Sequence, residues 1–160
     1  MSFDLVEIGT ALKLNKVEAL QDVLLTMPQV HIVTTHTFFP EIYERRIDVP
    51  PWTVLTGAAH KTAYTVRLES GTIAVNTDDG VKVLTGPMEF EVPAGMQRAG
   101  CVFDDPVVWV DVYENPDNCE DISVLEERLF VVPEVGLMDS RTPEQWALIE
   151  NMQKELSWQE

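Results

Sequence analysis

Turn-forming residues interrupt the middle of the chain at short intervals, and this spacing limits the folds that the sequence can adopt. The runs between the interruptions are long enough for single strands, and no helical pattern lies between them. Many short strands in succession indicate an antiparallel sandwich or barrel and argue against alternating strands and helices. The turn signals are Pro40, Pro50-Pro51, Gly57, Ser70-Gly71, Asp78-Asp79-Gly80, Gly86-Pro87, Pro93-Ala94-Gly95 and Asp104-Asp105-Pro106.

The residues between the turns also follow a strand pattern. From Gln29 onward β-branched residues become common, and side chains alternate from Tyr43 to Asp48 with a period of two. Asp79-Gly80 is the clearest hairpin signal, and it predicts a turn between strands at Thr72 to Thr77 and Val81 to Leu84. We therefore predict a mainly β, single-domain protein.

Helical patterns lie at both ends of the chain. Residues 4–26 carry apolar side chains at helical spacing, so residues 1–28 are expected to be a helical segment before a barrel over residues 29–115. Residues 116–160 are expected to form an extension with a short helix from Ile122 to Phe130, an extended piece from Val131 to Leu137, and a final helix from Thr142 to Trp158. All three parts belong to one compact domain.

The charge of the chain disfavours several kinds of partner. Its 160 residues include 27 acidic and 11 basic side chains, a formal net charge of −16, which repels nucleic acid. No apolar run approaches the roughly 20 residues that cross a bilayer, so no membrane partner is expected. The start of the chain carries Asp4 and Glu7 in place of a secretory leader, and Cys101 and Cys119 form no CxxC motif. We expect a cytoplasmic protein with reduced thiols.

The segment from Pro50 to Gly71 carries the first candidate site. It predicts a strand, a bend containing His60, a second strand and a tight turn at Ser70-Gly71. Strand periodicity places alternate side chains on the same face. One face, expected to line the lumen, holds Thr62, Tyr64, Val66 and Leu68, and the other holds Lys61, Thr65, Arg67 and Glu69.

The spacing of Gly57, His60 and Gly71 resembles the first motif of the cupin superfamily, the RmlC-like jelly-roll barrels, although the interval from Gly57 to His60 is short. Pro93-Ala94-Gly95-Met96-Gln97-Arg98 resembles the second motif, with Arg98 in place of histidine. More narrowly, residues 30–130 are similar to small cupin-like proteins encoded by bacteriophages. This similarity rests on Thr35-His36, Tyr43, Thr56-Gly57, His60, Gly71 and Val108-Trp109.

The cupin resemblance implies metal ligands at four positions, and this chain departs from that pattern. The positions are occupied by His60, Thr62, Tyr64 and Arg98. A first-row divalent metal needs several imidazoles or carboxylates, and a permanently protonated arginine cannot act as a ligand. We therefore expect a degenerate metal motif and no cofactor. If a metal does bind, His60 with His36 or His31 would be the candidate ligands.

The predicted lumen also offers polar groups for a ligand. The phage-type resemblance places Tyr113 inward, which brings Trp109 and Asp111 to the same face. A guanidinium offers a two-pronged donor to carboxylates. A pocket over an aliphatic floor would then take a small anion or polar metabolite, or an Arg98–Asp111 ion pair would close the lumen instead. The candidate residues are His60, Tyr64, Arg98, Asp111 and Tyr113.

These observations predict a non-catalytic, homodimeric cupin-like protein, encoded by a phage, that binds a small ligand or serves as an accessory module. One alternative is a virion component or an acidic inhibitor of a host protein. Another is a metal-dependent cupin oxygenase or isomerase that uses His60 with His31 or His36. The sequence contains no Ser/His/Asp pattern and no phosphate-binding glycine loop, so it does not indicate another kind of catalysis.

Two further features have structural interpretations. Trp52 is expected to pack at the barrel rim or a subunit interface, with core packing favoured over stacking on a substrate. The charged residues Glu41, Glu44, Arg45 and Arg46 are expected to form a solvated strand face.

Overall fold

The computed structural model describes residues 30–77 and 79–131. Over these residues the chain forms nine β-strands followed by one α-helix. The strands are β1 Val33–Phe39, β2 Ile42–Val49, β3 Val54–Thr56, β4 Tyr64–Ser70, β5 Thr72–Thr77, β6 Gly80–Thr85, β7 Met88–Val92, β8 Ala99–Val102 and β9 Val107–Glu114, and the helix α1 is Ile122–Leu129.

The strands form two sheets in which every neighbouring pair is antiparallel. The first sheet has the order β1-β2-β9-β4-β7, and the second has the order β3-β8-β5-β6. Without the additional edge strand β1, each sheet has four strands, and the chain crosses repeatedly from one sheet to the other. This is the connectivity of a jelly roll, two Greek keys around one core. The predicted mainly β jelly-roll fold is confirmed.

Alternation along β4 points apolar side chains into a core that both sheets share. Tyr64, Val66 and Leu68 are buried, as predicted for this face. The expectation that Thr62 joins them is wrong, because its side chain is exposed. Residues 61–63 form a bend before β4 begins, so the period of two does not extend back to Thr62.

The predicted hairpin is present, with its turn one residue earlier than expected. In the ladder between β5 and β6, Thr77 pairs with Gly80, which is already part of the second strand. The Thr77 hydroxyl donates to the Gly80 carbonyl at 2.6 Å and accepts from the Asp79 amide at 3.2 Å. These bonds close the hairpin.

The predicted short helix near residue 122 is also present. The Asp121 carboxylate accepts hydrogen bonds from the amides of Ser123 and Val124, an N-cap that defines where α1 begins. The helix ends at Leu129, one residue before the predicted end, because Phe130 adopts an extended conformation. The predicted helices over residues 4–26 and from Thr142 to Trp158 lie outside the described residues, as does all but Val131 of the extended piece. The three predicted boundaries stay predictions.

Trp52 lies at the surface, so core packing is wrong for it, and its predicted place at the barrel rim or a subunit interface stays a prediction. Its side chain is 64% exposed, and its backbone has a φ of 58°. The Trp52 amide donates to the Phe103 carbonyl at 2.8 Å, which holds this turn against the next loop with the indole outside.

Among the described residues, no helix combines the length and apolarity that a membrane crossing requires.

Candidate functional site

The candidate site lies on the inner faces of β2 and β9, which are neighbours in the first sheet. Their register places Tyr43 opposite Tyr113 and Arg45 opposite Asp111. All four side chains are buried, because residues separated by two positions on a strand face the same side. Trp109 is buried on β9 as well. The sequence expectation that Trp109, Asp111 and Tyr113 face inward therefore agrees with their burial.

The bend before β4 brings His60 into this interior. Its side chain is only 7% exposed, and its ring stacks on Tyr64 with the centroids 3.9 Å apart. Nε2 of His60 lies 2.8 Å from the Tyr113 hydroxyl. This contact thus joins His60 to Tyr113 on β9, a residue far away in the sequence.

A chain of hydrogen bonds continues from His60 to a buried carboxylate. The Tyr113 hydroxyl donates to Oδ2 of Asp111 at 3.0 Å, and Nε1 of Trp109 donates to Oδ1 at 2.8 Å. The Tyr113 hydroxyl thus lies between the His60 imidazole and the Asp111 carboxylate. The Nδ1 atom of His60 is buried too.

Among the charged groups, Arg45 has the strongest effect on the pKa of Asp111. Burial raises the pKa of Asp111 above its ordinary value. The Arg45 charge, the hydrogen bonds from Trp109 and Tyr113 and, to a smaller extent, the Arg98 charge oppose this rise. The Arg98 charge thus lowers the pKa of Asp111, as expected for an ion pair, but the Arg45 charge lowers it more.

Arg98 is held in the loop between β7 and β8 by several contacts. Its Nη1 donates to the Asn76 carbonyl at 3.3 Å, and its guanidinium carbon lies 5.4 Å from the centre of the Phe90 ring. The Asn76 side chain binds the backbone on both sides of Arg98, accepting from the Ala99 amide at 2.7 Å and donating to the Gln97 carbonyl at 3.0 Å. The loop therefore presents Arg98 in a defined position.

Tyr64 connects Arg98 to the rest of the site. Burial raises the pKa of the Tyr64 hydroxyl, the Asp111 charge adds to the rise, and the charge and hydrogen bond of Arg98 oppose it. Tyr64 therefore stays protonated at neutral pH, and its hydroxyl remains a neutral partner for Arg98.

The structure brings all five predicted pocket residues to one region. His60, Tyr64, Asp111 and Tyr113 are linked by stacking or hydrogen bonds, and Arg98 adjoins Tyr64. Three important residues were missed in the sequence: Arg45, Asn76 and Phe130.

The interpretation of the early charged cluster as a solvated face is wrong for Arg45. It is buried on the inner face of β2, and its guanidinium carbon lies 5.9 Å from the centre of the Phe130 ring. The available signal was that Arg45 shares strand parity with Tyr43. The other members, Glu41, Glu44 and Arg46, are exposed or half-buried.

The donor set does not fit the divalent metal that the cupin resemblance implies. Thr62 is exposed outside the lumen, Tyr64 stays protonated, and Arg98 brings a positive charge. Nδ1 of His36 lies 2.6 Å from the Tyr43 hydroxyl, and His31 is exposed. Within residues 30–77 and 79–131, no group of three His, Cys, Asp or Glu side chains converges as a metal site.

Burial of His60 predicts a measurable dependence of stability on pH. The pKa of His60 falls from 6.5 to about 4, mainly because of burial, with smaller contributions from the Arg45 and Arg98 charges and partial opposition from the Ala58 backbone. As pH falls from 6.5 to 4, the unfolded chain gains a proton that the folded chain excludes. His60 should therefore reduce the free energy of unfolding by about 3 kcal/mol over this interval.

Chemical denaturation at a series of pH values checks this expectation. The His60→Gln variant should lose the part of the slope that His60 causes. The raised pKa of Asp111 has the opposite sign, since the folded chain binds its proton first, but it is present in both proteins and cancels in the comparison. Identical slopes for both proteins would show that His60 is not the titrating group.

Comparison with known proteins finds solved structures of low similarity. No family model matches the chain, and no curated protein matches it. A cupin domain from Bordetella pertussis Tohama I is 19% identical over 55% of this chain and 97% of that chain, with a TM-score of 0.45. A cupin superfamily protein from Desulfitobacterium hafniense DCB-2 is 10% identical over 56% and 94% of the two chains, with a TM-score of 0.46.

An enzyme is also among the similar structures. Oxalate decarboxylase from Lactobacillus farciminis is 14% identical over 64% of this chain and 34% of that chain, with a TM-score of 0.47. All of these identities and scores are low. The assignment to a jelly roll therefore rests on the strand order and register of this chain itself.

Proposed function

We propose that this chain is a non-catalytic, cupin-like binding module that holds a small organic anion in its barrel without a metal. The observation that carries the proposal is Arg98, a cation at the second-motif position that holds histidine in metal-binding cupins. Asn76 and Phe90 hold its guanidinium in place. A phage accessory role and a homodimer belong to the proposal as well, and they are supported by the sequence resemblance alone.

The electrostatics of the interior favour an anion over a cation. The charges of Arg45 and Arg98 both lower the pKa of His60, so both create a positive potential at the imidazole. Asp111 already accepts hydrogen bonds on both of its oxygens, from Trp109 and Tyr113. A carboxylate bound by a guanidinium forms short, charge-assisted hydrogen bonds. Arg98 is half-buried, so it is the arginine that an entering ligand meets first.

Titration calorimetry with acetate, malonate and phosphate tests the proposal. We expect at least one of the carboxylates to bind, and Arg98→Gln to weaken that binding about 10- to 100-fold, the effect of losing a hydrogen bond to a charged group. Arg46→Gln is the matched control, because Arg46 pairs with Asp48 on the exposed surface. Equal affinities in the two variants, or no binding by the unaltered protein, would contradict the proposal.

Metal analysis of the dialysed protein tests the metal-free part. Less than stoichiometric Fe, Mn, Ni or Zn is expected, because His60 and Tyr113 are already hydrogen-bonded to each other. One metal ion per chain that is lost in His60→Ala would favour the oxygenase or isomerase alternative. Copurification with virions or with a basic host protein would favour the structural or inhibitory alternative.

A further inference from the structure

Phe130 covers the candidate site from the segment that follows α1. Residues 129–131, the closing segment, run alongside residues 59–61, and His60 and Phe130 form an isolated antiparallel bridge. The Lys61 amide donates to the Leu129 carbonyl at 2.8 Å, and the Val131 amide donates to the Ala59 carbonyl at 2.8 Å. Phe130 is 3% exposed, so its ring is inside the barrel.

The groups around the Phe130 ring favour an aromatic side chain at this position. Its centroid lies 4.8 Å from that of His60 with an interplanar angle of 69°, and 6.1 Å from that of Tyr113 with an angle of 87°. Both are edge-to-face contacts, an arrangement that aromatic pairs favour. The Arg45 guanidinium lies over the same ring at 5.9 Å, within the distance of a cation–π contact.

The Phe130 side chain is therefore a non-polar ring in a place where charged and polar groups converge. Arg45 contacts the ring, and Arg98 acts on His60 through its charge. An occupant that combined an aromatic ring with a carboxylate would keep the ring contacts and add an ionic partner for the guanidinium groups. An aliphatic ring of equal size would lose the edge-to-face and cation–π contacts.

We propose that the space filled by the Phe130 ring is the binding subsite for an aromatic carboxylate, and that Phe130 is an internal occupant which this ligand displaces. The inference rests on the proposed function and names the class of anion. Binding then requires the closing segment to separate from residues 59–61. The closed form lowers the apparent affinity in proportion to the small fraction of open molecules.

Nuclear magnetic resonance titrations with benzoate, cyclohexanecarboxylate and acetate test this assignment. Phe130→Ala should bind benzoate about tenfold or more tightly than the unaltered protein does, because the internal competitor is gone. The variant should also prefer benzoate to cyclohexanecarboxylate. Phe38→Ala is the matched control: Phe38 stacks on Tyr43 at 5.3 Å in the same aromatic cluster, and its loss should leave benzoate affinity unchanged.

A second measurement uses the unaltered protein, so it stands even if Phe130→Ala does not fold. Benzoate should accelerate hydrogen exchange at the amides of Lys61 and Val131, which bond the closing segment to the bend. Acetate should not. Unchanged or slower exchange with benzoate, or equal affinity of Phe130→Ala for benzoate and cyclohexanecarboxylate, overturns the inference. If acetate or malonate still binds through Arg98, the proposed function stands; if no carboxylate binds any form, both fail.

Discussion

Replacing Asp111 with alanine is expected to lower the free energy of unfolding by about 3–5 kcal/mol, the cost of breaking a buried charged pair by removing one partner. Asp111 is 8% exposed and lies opposite Arg45 in the ladder between β2 and β9. Its loss removes the acceptor for the Trp109 indole and the Tyr113 hydroxyl together with the negative charge opposite Arg45. Urea denaturation monitored by tryptophan fluorescence measures the change.

Two variants separate the buried charge from other effects of the substitution. Asp111→Asn keeps the size of the side chain and one acceptor oxygen. It should therefore lower the free energy of unfolding less than Asp111→Ala does. Asp48→Ala removes a carboxylate that pairs with Arg46 at 2.9 Å on the partly exposed side of β2, and it should cost under about 1 kcal/mol. If Asp111→Ala cost no more than Asp48→Ala, the hydrogen-bonded chain from His60 to Asp111 would not be part of what stabilises the barrel.

Replacing Gly71 with alanine is the second substitution with a large expected effect, about 3 kcal/mol of lost stability. Gly71 connects β4 to β5 with a φ of 90°, a conformation that side chains disfavour. An added Cβ would also lie 2.8 Å from Cγ2 and 2.9 Å from Cα of Val107, and would clash with the Pro106 carbonyl. The strained backbone conformation and the steric clash therefore both lower the stability of Gly71→Ala.

Thermal and chemical denaturation of Gly71→Ala measures this effect. Gly57→Ala is the matched control, because no atom of the described residues beyond its chain neighbours lies within 4 Å of a Cβ added there, and Gly57 is not among the glycines with positive φ. We expect Gly57→Ala to change stability by less than about 0.5 kcal/mol. Comparable losses in both variants would mean that the close approach at Gly71 relaxes without cost.

The main features of the fold could be predicted because they depend on neighbouring residues. Turn signals and alternating side chains identified most strands, and the Asp79-Gly80 signal placed a hairpin within one residue of its position. Thr62 shows the limit of this reasoning. Its position relative to Tyr64 predicted burial, but periodicity holds only inside a strand, and a local pattern does not show where a bend replaces the strand.

The site was only partly predictable, since three of its contributors carry ambiguous or no local signals. Arg45 stands among charged residues, and the sequence does not show that a second sheet covers its face of β2. Phe130 follows a short helix, and nothing in its surroundings along the chain indicates that it returns to pair with His60. Asn76 is similar, because its role depends on backbone groups that flank Arg98 in another loop.

By itself, the sequence determined a mainly β chain of short antiparallel strands with His60 on a bend, because turn chemistry and side-chain alternation act between near neighbours. Only the tertiary structure decided that His60 meets Tyr113 and Phe130 and that Arg45 faces Asp111 across a ladder. Those contacts depend on the order of the strands and on how the closing segment packs back against the barrel. Such long-range contacts follow from burying one shared core and have no counterpart in local spacing.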